Sequence, residues 1–167
     1  MPLRQLDAIF NLHPSSRTGG QRLGDTNMIQ IVYLSFATLE LKAHPESHIN
    51  SILREANEHN SANDITGQLI YRNGIFVQLL EGRKEDVELI LGRILLDHKR
   101  HENLKVLLKQ PMKLRSFPEW SMAFVKLENA ALDMVNSILP WQELIDNSTS
   151  GQVDPNKILE IFENLQS

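Results

Sequence analysis

The chain has 167 residues, a hydrophobic fraction of 41% and a formal net charge of −4 at pH 7. This length predicts one domain with an appendage, and the acidic balance argues against a general nucleic-acid-binding surface. The absence of cysteine excludes disulfides and thiolate chemistry. No apolar run approaches the roughly 20 residues of a membrane span, and the first residues lack the apolar segment of a signal peptide. We therefore expect a soluble cytoplasmic protein.

The six histidines do not indicate a metal site. Without cysteine, a zinc ion would depend on histidines and carboxylates, and no HxxxH or HExxH pair lies on a predicted helix. His98 and His101 are three residues apart, but Lys99 and Arg100 lie between them and disfavour a bound cation. We expect no metal cofactor.

Residues 1–27 are predicted to form a flexible N-terminal arm. The stretch 13–27 is rich in Ser, Gly, Thr and Asn, which is typical of a linker. The apolar pattern before it is compatible with an amphipathic helix, but a helix of that length is marginal alone.

The segment MIQIVYLSFA, residues 28–37, is rich in β-branched side chains and predicts a first strand. Alternation along that strand places Tyr33 and Ser35 on one face. Residues 44–60 predict a helix, because Pro45 suits a first helical turn and an apolar stripe follows at i, i+3, i+4, i+7 spacing.

Residues 64–82 predict a strand, a turn and a second strand, since Asn73-Gly74 is a strong hairpin signal. The second strand carries Gln78 among apolar neighbours. A buried amide without a partner costs roughly 1–3 kcal/mol, so Gln78 is expected to meet either a protein group or a ligand.

The order of the remaining segments predicts the fold class. Residues 83–101 read as a second amphipathic helix, and 104–110 and 120–126 as two more strands. The chain is thus α+β, with a ferredoxin-like β-α-β-β-α-β core, an extra strand and two helices on one face of a mainly antiparallel sheet. We predict that this domain spans residues 28–127 and that a C-terminal helical cap spans 128–167.

Several polar or sulfur-bearing side chains fall where the pattern predicts partial burial, and each alone has an ordinary structural explanation. Tyr33 would be a core tyrosine with a satisfied hydroxyl, Asn60 a helix C-cap and Gln78 an outward strand residue. Trp120 and Met122 would be packing residues. Together they suggest more, because the first and third strands are neighbours at the centre of such a sheet. A Tyr33–Gln78 pair between two helices would suit a flat ligand of mixed polarity.

Four segments resemble a known family: VYLSFA, NEHNSANDITGQLIYRNGIFVQLLEG, LLDHKRH and RSFPEWSMAF. They are similar to the BLUF domain, a blue-light sensor that binds FAD non-covalently, and the resemblance covers about residues 28–126. The spacing of the ITG, L, Y, F, Q and LEG elements is highly specific.

The resemblance implies a role for each matching residue. Tyr33 would be the electron and proton donor, Gln78 the glutamine that switches its hydrogen bonds, and Asn60 the partner of the flavin O4. Ser35 would be a polar partner on the first strand, and Trp120 and Met122 would form the output strand. The remaining implied cofactor-binding residues are Ile52, His59, Ile94, Asp97, Lys99, Arg100 and His101.

The sequence departs from the family pattern at three places. The family commonly shows Asp-x-Arg-His after the second helix, whereas residues 97–101 hold one extra residue, so either Lys99-Arg100 or Arg100-His101 fills the basic positions. Gln68 stands where a small residue is usual and would perturb the pocket if it pointed inward. The 27-residue arm also lies outside the pattern.

The resulting hypothesis is a non-enzymatic photoreceptor that binds FAD and signals through the C-terminal helices or a separate protein, with homo-oligomerisation expected by analogy. The alternative is a ferredoxin-like ligand-binding or protein-interaction module without photochemistry. An RNA-binding sheet is disfavoured because exposed aromatic pairs are missing. An enzyme is disfavoured because we find no nucleophile–base pair or phosphate loop.

Overall fold

The structure, a computed structural model, describes residues 27–147 and 153–166. The predicted N-terminal arm lies outside the described residues except for Asn27. The strands are β1 (Met28–Ala37), β2 (Thr66–Arg72), β3 (Ile75–Arg83), β4 (His101–Pro111) and β5 (Ala123–Lys126). The helices are α1 (Leu39–Ala43), α2 (Pro45–Ala62), α3 (Lys84–Leu95), α4 (Asn129–Ile138), α5 (Trp141–Asn147) and α6 (Pro155–Asn164).

The five strands form one sheet in the order β4-β1-β3-β2-β5. The pairings are antiparallel except for that of β2 with β5, which is parallel. This arrangement confirms the predicted ferredoxin-like α+β class with an added strand. Because β1 and β3 are neighbours at the centre, Tyr33 lies directly opposite Gln78 in the ladder.

Helices α2 and α3 cover one face of the sheet. Strand residues that alternate along β1 and β3, such as Ile31, Tyr33 and Leu80, pack there against Val87 and Leu91 of α3. When the apolar stripe of a helix packs on a sheet face, both apolar surfaces are removed from water. The predicted pair of helices on one face is therefore present, and the Tyr33–Gln78 pair lies beneath them.

Helices α4, α5 and α6 cover the opposite face. Val32, Leu34 and Leu79, which point away from α2 and α3, share a second core with Trp141 and Phe162 from the C-terminal helices. The C-terminal segment thus buries the face that the first two helices leave open.

Two predicted elements are shorter in the structure. The helix predicted over 83–101 ends at Leu95, because the N–H groups of Asp97 and His98 bond only three and two residues back, to Ile94 and Leu96, and a turn then leads into β4. The strand predicted over 120–126 begins at Ala123. Residues 120 and 121 instead form hydrogen bonds with Gly67 and Asn60.

Candidate functional site

Three side chains joined by hydrogen bonds lie at the centre of the helix-covered face. The Tyr33 hydroxyl donates a hydrogen bond to Gln78 Oε1, and Gln78 Nε2 donates to Met122 Sδ at 3.3 Å. All three residues are buried. Because the oxygen of Gln78 faces Tyr33, its NH2 group faces Met122 and retains a second N–H for another partner.

The environment of Tyr33 keeps its phenol protonated. Burial raises the pKa of Tyr33 well above its ordinary value, and the negative charge of Asp97 raises it further. The hydroxyl is therefore a donor at physiological pH, and this donor orients the amide of Gln78.

Asn60 contributes a polar group from α2. The helix continues to Ala62 and is capped at Asn63, so the C-cap reading of Asn60 is wrong. Its side chain is 1% exposed, and its Nδ2 donates to the backbone oxygen of Ser121 at 2.8 Å. Its Oδ1 is buried without a hydrogen-bond partner. A buried acceptor in that state is costly, which suits a residue that binds a ligand N–H.

An open cleft between α2 and α3 brings these residues together. Its empty volume, including the part open to solvent, is about 690 Å³. Ile52 and Ala56 of α2 and Ile90 and Ile94 of α3 are among its apolar lining residues. Polar lining residues include Tyr33, Asn60, Gln78, His59, Glu55, Arg93, Asp97, Arg100 and His101.

Charged residues lie at the edge of this cleft. Arg100 donates to both carboxylate oxygens of Glu55, at 3.1 and 2.7 Å, and through Nε to Asp97 at 2.5 Å. The hydrogen bond with Arg100 is the main reason that the pKa of Glu55 is lowered. Lys99 does not line the cleft. Its side chain is exposed, and its backbone oxygen accepts a hydrogen bond from Thr38 Oγ1. Of the two pairings that the sequence left open, Arg100-His101 is the one whose residues both line the cleft, and the contact of these residues with a cofactor stays a prediction.

Ser35 contacts a residue that lines the cleft. It does not line the cleft itself; its hydroxyl lies 3.0 Å from His101 Nδ1. The ring of His101 is also close to Phe76, with a centroid distance of 5.0 Å. Burial lowers the pKa of His101 to about 4, although Asp97 raises it in part. His101 is therefore neutral near pH 7.

We expect the stability of the protein to fall as the pH is lowered from about 6.5 to about 4. The unfolded chain protonates His101 near its ordinary pKa of 6.5, whereas the folded protein does so only near 4, so acid favours the unfolded state. This single site accounts for a loss of about 3 kcal/mol across that window. Urea unfolding of the parent and of His101→Gln at several pH values measures the free energy of unfolding. If this free energy varied equally with pH in the two proteins, the prediction would be contradicted.

Two other predicted residues lie away from the cleft. Gln68 is buried on the face covered by the C-terminal helices, opposite Leu79, so it does not point into the pocket. Its Oε1 has no partner. Trp120 is 60% exposed whereas Met122 is 5% exposed, so Met122 is the member of that pair that contacts Gln78.

Sequence reasoning did not select Glu55, Ala56, Ile90 or Arg93, which also line the cleft. Ala56 and Ile90 belonged to the apolar stripes of the two helices, so the signal was present but indicated only packing. Glu55 gave no such signal, because its contact with Arg100 joins residues 45 positions apart.

Within the described residues, 27–147 and 153–166, no group of three or more His, Asp or Glu side chains is arranged to hold a metal ion. In the same part of the chain, no helix combines the length and the apolar character that crossing a bilayer demands.

Comparison with known proteins assigns the chain to a family. The family model for BLUF, described as sensors of blue-light using FAD, matches residues 28–123. The chain belongs to the BLUF family. The match includes the Tyr33–Gln78 pair, Asn60 and Met122, which line or adjoin the cleft, so the BLUF resemblance noted from the sequence is confirmed. Members of this family are flavin-dependent blue-light sensors.

Similar proteins agree with this family. The chain is 32% identical over 123 residues to photoactivated adenylate cyclase subunit beta of Euglena gracilis, a match that covers 73% of this chain and 13% of that protein. The BlsA photo-activated state superposes with a TM-score of 0.67 at 26% identity, over 83% of this chain and 94% of the other. The dark-state structure of BlrB, a BLUF protein, gives 0.63 at 26% identity, over 84% and 96%. The chain thus spans a small part of the cyclase and nearly the whole of BlsA and BlrB.

Proposed function

We propose that this protein binds FAD non-covalently in the cleft between α2 and α3 and acts as a blue-light photoreceptor. The observation that carries the proposal is the hydrogen-bonded pair of Tyr33 and Gln78, which lines the cleft together with Ile52 and Ile94. The family description names FAD, whereas a protein of similar fold, Klebsiella pneumoniae BlrP1, was solved with FMN. Arg100 at the cleft edge suits the phosphate of either flavin.

The residues present fit a flavin ring. Ile52 and Ile94 line the cleft from opposite helices, an arrangement suited to a flat aromatic ligand. The unpaired Oδ1 of Asn60 can accept a ring N–H, and its second Nδ2–H can donate to the flavin O4, the partner that the BLUF resemblance implies. The second N–H of Gln78 can donate to a ring nitrogen or carbonyl. A ring bound there would satisfy the buried acceptor that the protein leaves open. His59 lies at the exposed edge, where its Nδ1 is 3.5 Å from Arg93.

A bound flavin supplies a light-excited ring that is a strong electron acceptor. Tyr33 provides the electron, since it is buried at the cleft and hydrogen-bonded to Gln78. Loss of the electron makes the phenol strongly acidic, so its proton passes to the amide of Gln78. When electron and proton return to Tyr33, Gln78 can settle with its oxygen and NH2 group rearranged. No bond is made permanently, so these residues perform a photocycle rather than an enzymatic turnover.

A rearranged Gln78 would no longer donate to Met122 in the same way. We propose that this change is passed from Met122 towards the C-terminal helices or a separate signalling protein. The two-state element is then the segment around Met122, biased by the orientation of one amide. Self-association and a cytoplasmic location are part of the same proposal.

An absorption spectrum before and after blue light tests the proposed function. The purified protein is expected to be yellow, and illumination should shift its visible band slightly to the red while the flavin stays oxidised. The shift should reverse in the dark. A colourless protein that takes up no added FAD would instead favour the ligand-binding or interaction module without photochemistry.

A further inference from the structure

Glu81 is a fully buried carboxylate that the proposed photocycle does not use. It lies on β3, three residues beyond Gln78, and is 0% exposed. Its Oε1 accepts from the backbone N–H of Ser116 at 2.7 Å, and its Oε2 accepts from Phe117 N–H at 3.0 Å and from Thr66 Oγ1 at 3.2 Å. Burying a carboxylate is unfavourable unless its oxygens are satisfied in this way.

The two backbone donors belong to the segment that joins β4 to β5, residues 112–122, here named the β4–β5 loop. The far end of this loop forms part of the cleft. Trp120 O accepts from Gly67 N–H at 3.1 Å, Ser121 O accepts from Asn60, and Met122 Sδ accepts from Gln78. The loop is therefore attached to Glu81 near its middle and to the proposed flavin site at its C-terminal end.

The same loop reaches the C-terminal helices. Gln166, just after α6, donates through Nε2 to the backbone oxygen of Ser116 at 2.9 Å. Phe117 is 2% exposed and belongs to the core that α4, α5 and α6 form with the sheet. Ser116 is thus bound through its N–H to Glu81 and through its carbonyl to the end of α6.

We propose that Glu81 is a positioning residue that anchors the β4–β5 loop so that Met122, and not Trp120, lies against Gln78. Only four residues separate Phe117 from Met122, so the anchor limits which of the two side chains, Trp120 or Met122, reaches the cleft. Through Ser116, the same anchor joins the loop to α6. The role in the photocycle rests on the proposed function, whereas the anchoring itself does not.

The first test compares Glu81→Gln with the parent in two backgrounds. Glutamine keeps the volume but replaces one acceptor oxygen by an NH2 group that faces backbone donors. The dark recovery time of the red-shifted band is expected to change by about threefold or more. In Met122→Ala the same substitution should add no further change, because Glu81 acts through Met122. An unchanged recovery time, or an equal change in both backgrounds, would overturn the proposal.

The second test needs no flavin, so it separates a failure of this inference from a failure of the proposed function. Trp120 is exposed and Trp141 is buried, so a neutral collisional quencher reports mainly on Trp120. Releasing the loop should bring Trp120 towards the cleft, and quenching in Glu81→Gln should therefore decrease relative to the parent. Equal quenching in the two proteins would refute the anchoring role.

Two further variants distinguish the effect on the β4–β5 loop from a general loss of stability. Ile70→Val removes a methylene group from the core on the same face but takes away no hydrogen bond of the β4–β5 loop, and it should leave both readouts unchanged. If Glu81→Gln does not fold, Thr66→Val removes one of the three donors to Glu81 and also a partner of Arg115. It should shift both readouts in the same direction by a smaller amount.

Discussion

Tyr33→Phe is expected to abolish the light-induced red shift while the protein still binds flavin. The substitution removes the phenol that supplies the electron and proton, but it leaves the walls of the cleft and Asn60 in place. Gln78 Oε1 loses its donor, so the free energy of unfolding should fall by about 1–3 kcal/mol. Absorption spectra before and after illumination measure the shift, and the flavin-to-protein ratio measures binding.

Tyr71 offers a matched control for this variant, because the chain contains two tyrosines. Tyr71 is also buried on the face covered by α2 and α3, and its ring packs near Phe76. It does not line the cleft, so Tyr71→Phe should keep the red shift. A normal red shift in Tyr33→Phe would refute the assignment of Tyr33 as the donor.

Gln78→Leu should also abolish the red shift with flavin still bound. Leucine has a similar size but no amide, so it can neither accept from Tyr33 nor donate to Met122. The proton relay and the rearrangement are both lost. The Tyr33 hydroxyl would be left buried without its acceptor, which adds a destabilisation of about 1–3 kcal/mol.

Gln68→Leu is the matched control for Gln78→Leu. Gln68 is a buried strand glutamine on the neighbouring strand β2, but it faces the C-terminal helices. Its Oε1 has no hydrogen-bond partner, so the substitution should keep the red shift and leave the free energy of unfolding equal or higher. If the shift persists in Gln78→Leu or disappears in Gln68→Leu, Gln78 is not the switching amide.

The sequence was most informative where a residue's role follows from local periodicity or from a family-specific spacing. Alternation in β1 and β3 put Tyr33 and Gln78 on defined faces, and Asn73-Gly74 defined the hairpin that brings β2 beside β3. Strand order then made Tyr33 and Gln78 neighbours. Side-chain direction in a strand has a period of two, so this part of the site could be derived without coordinates.

The same reasoning failed at the ends of elements. The helix predicted to reach His101 ends at Leu95, and the strand predicted from Trp120 begins at Ala123. In both cases hydrogen bonds at or beyond the element's end, some to residues distant in sequence, outweigh the local preference. Asn60 is another example, because its side chain bonds to Ser121, 61 positions away, rather than capping α2.

The sequence by itself therefore determined the fold class, the family and the Tyr33–Gln78 pair, because these depend on periodicity, element order and the family-specific spacing of residue types. Only the tertiary structure decided that Met122 is buried and Trp120 exposed, that Arg100 rather than Lys99 lines the cleft, and that Gln68 faces the C-terminal helices. It also revealed the contact of Glu81 with Ser116 and Phe117. Such contacts join segments far apart in the chain, and their free energy depends on burial and geometry that no local pattern encodes.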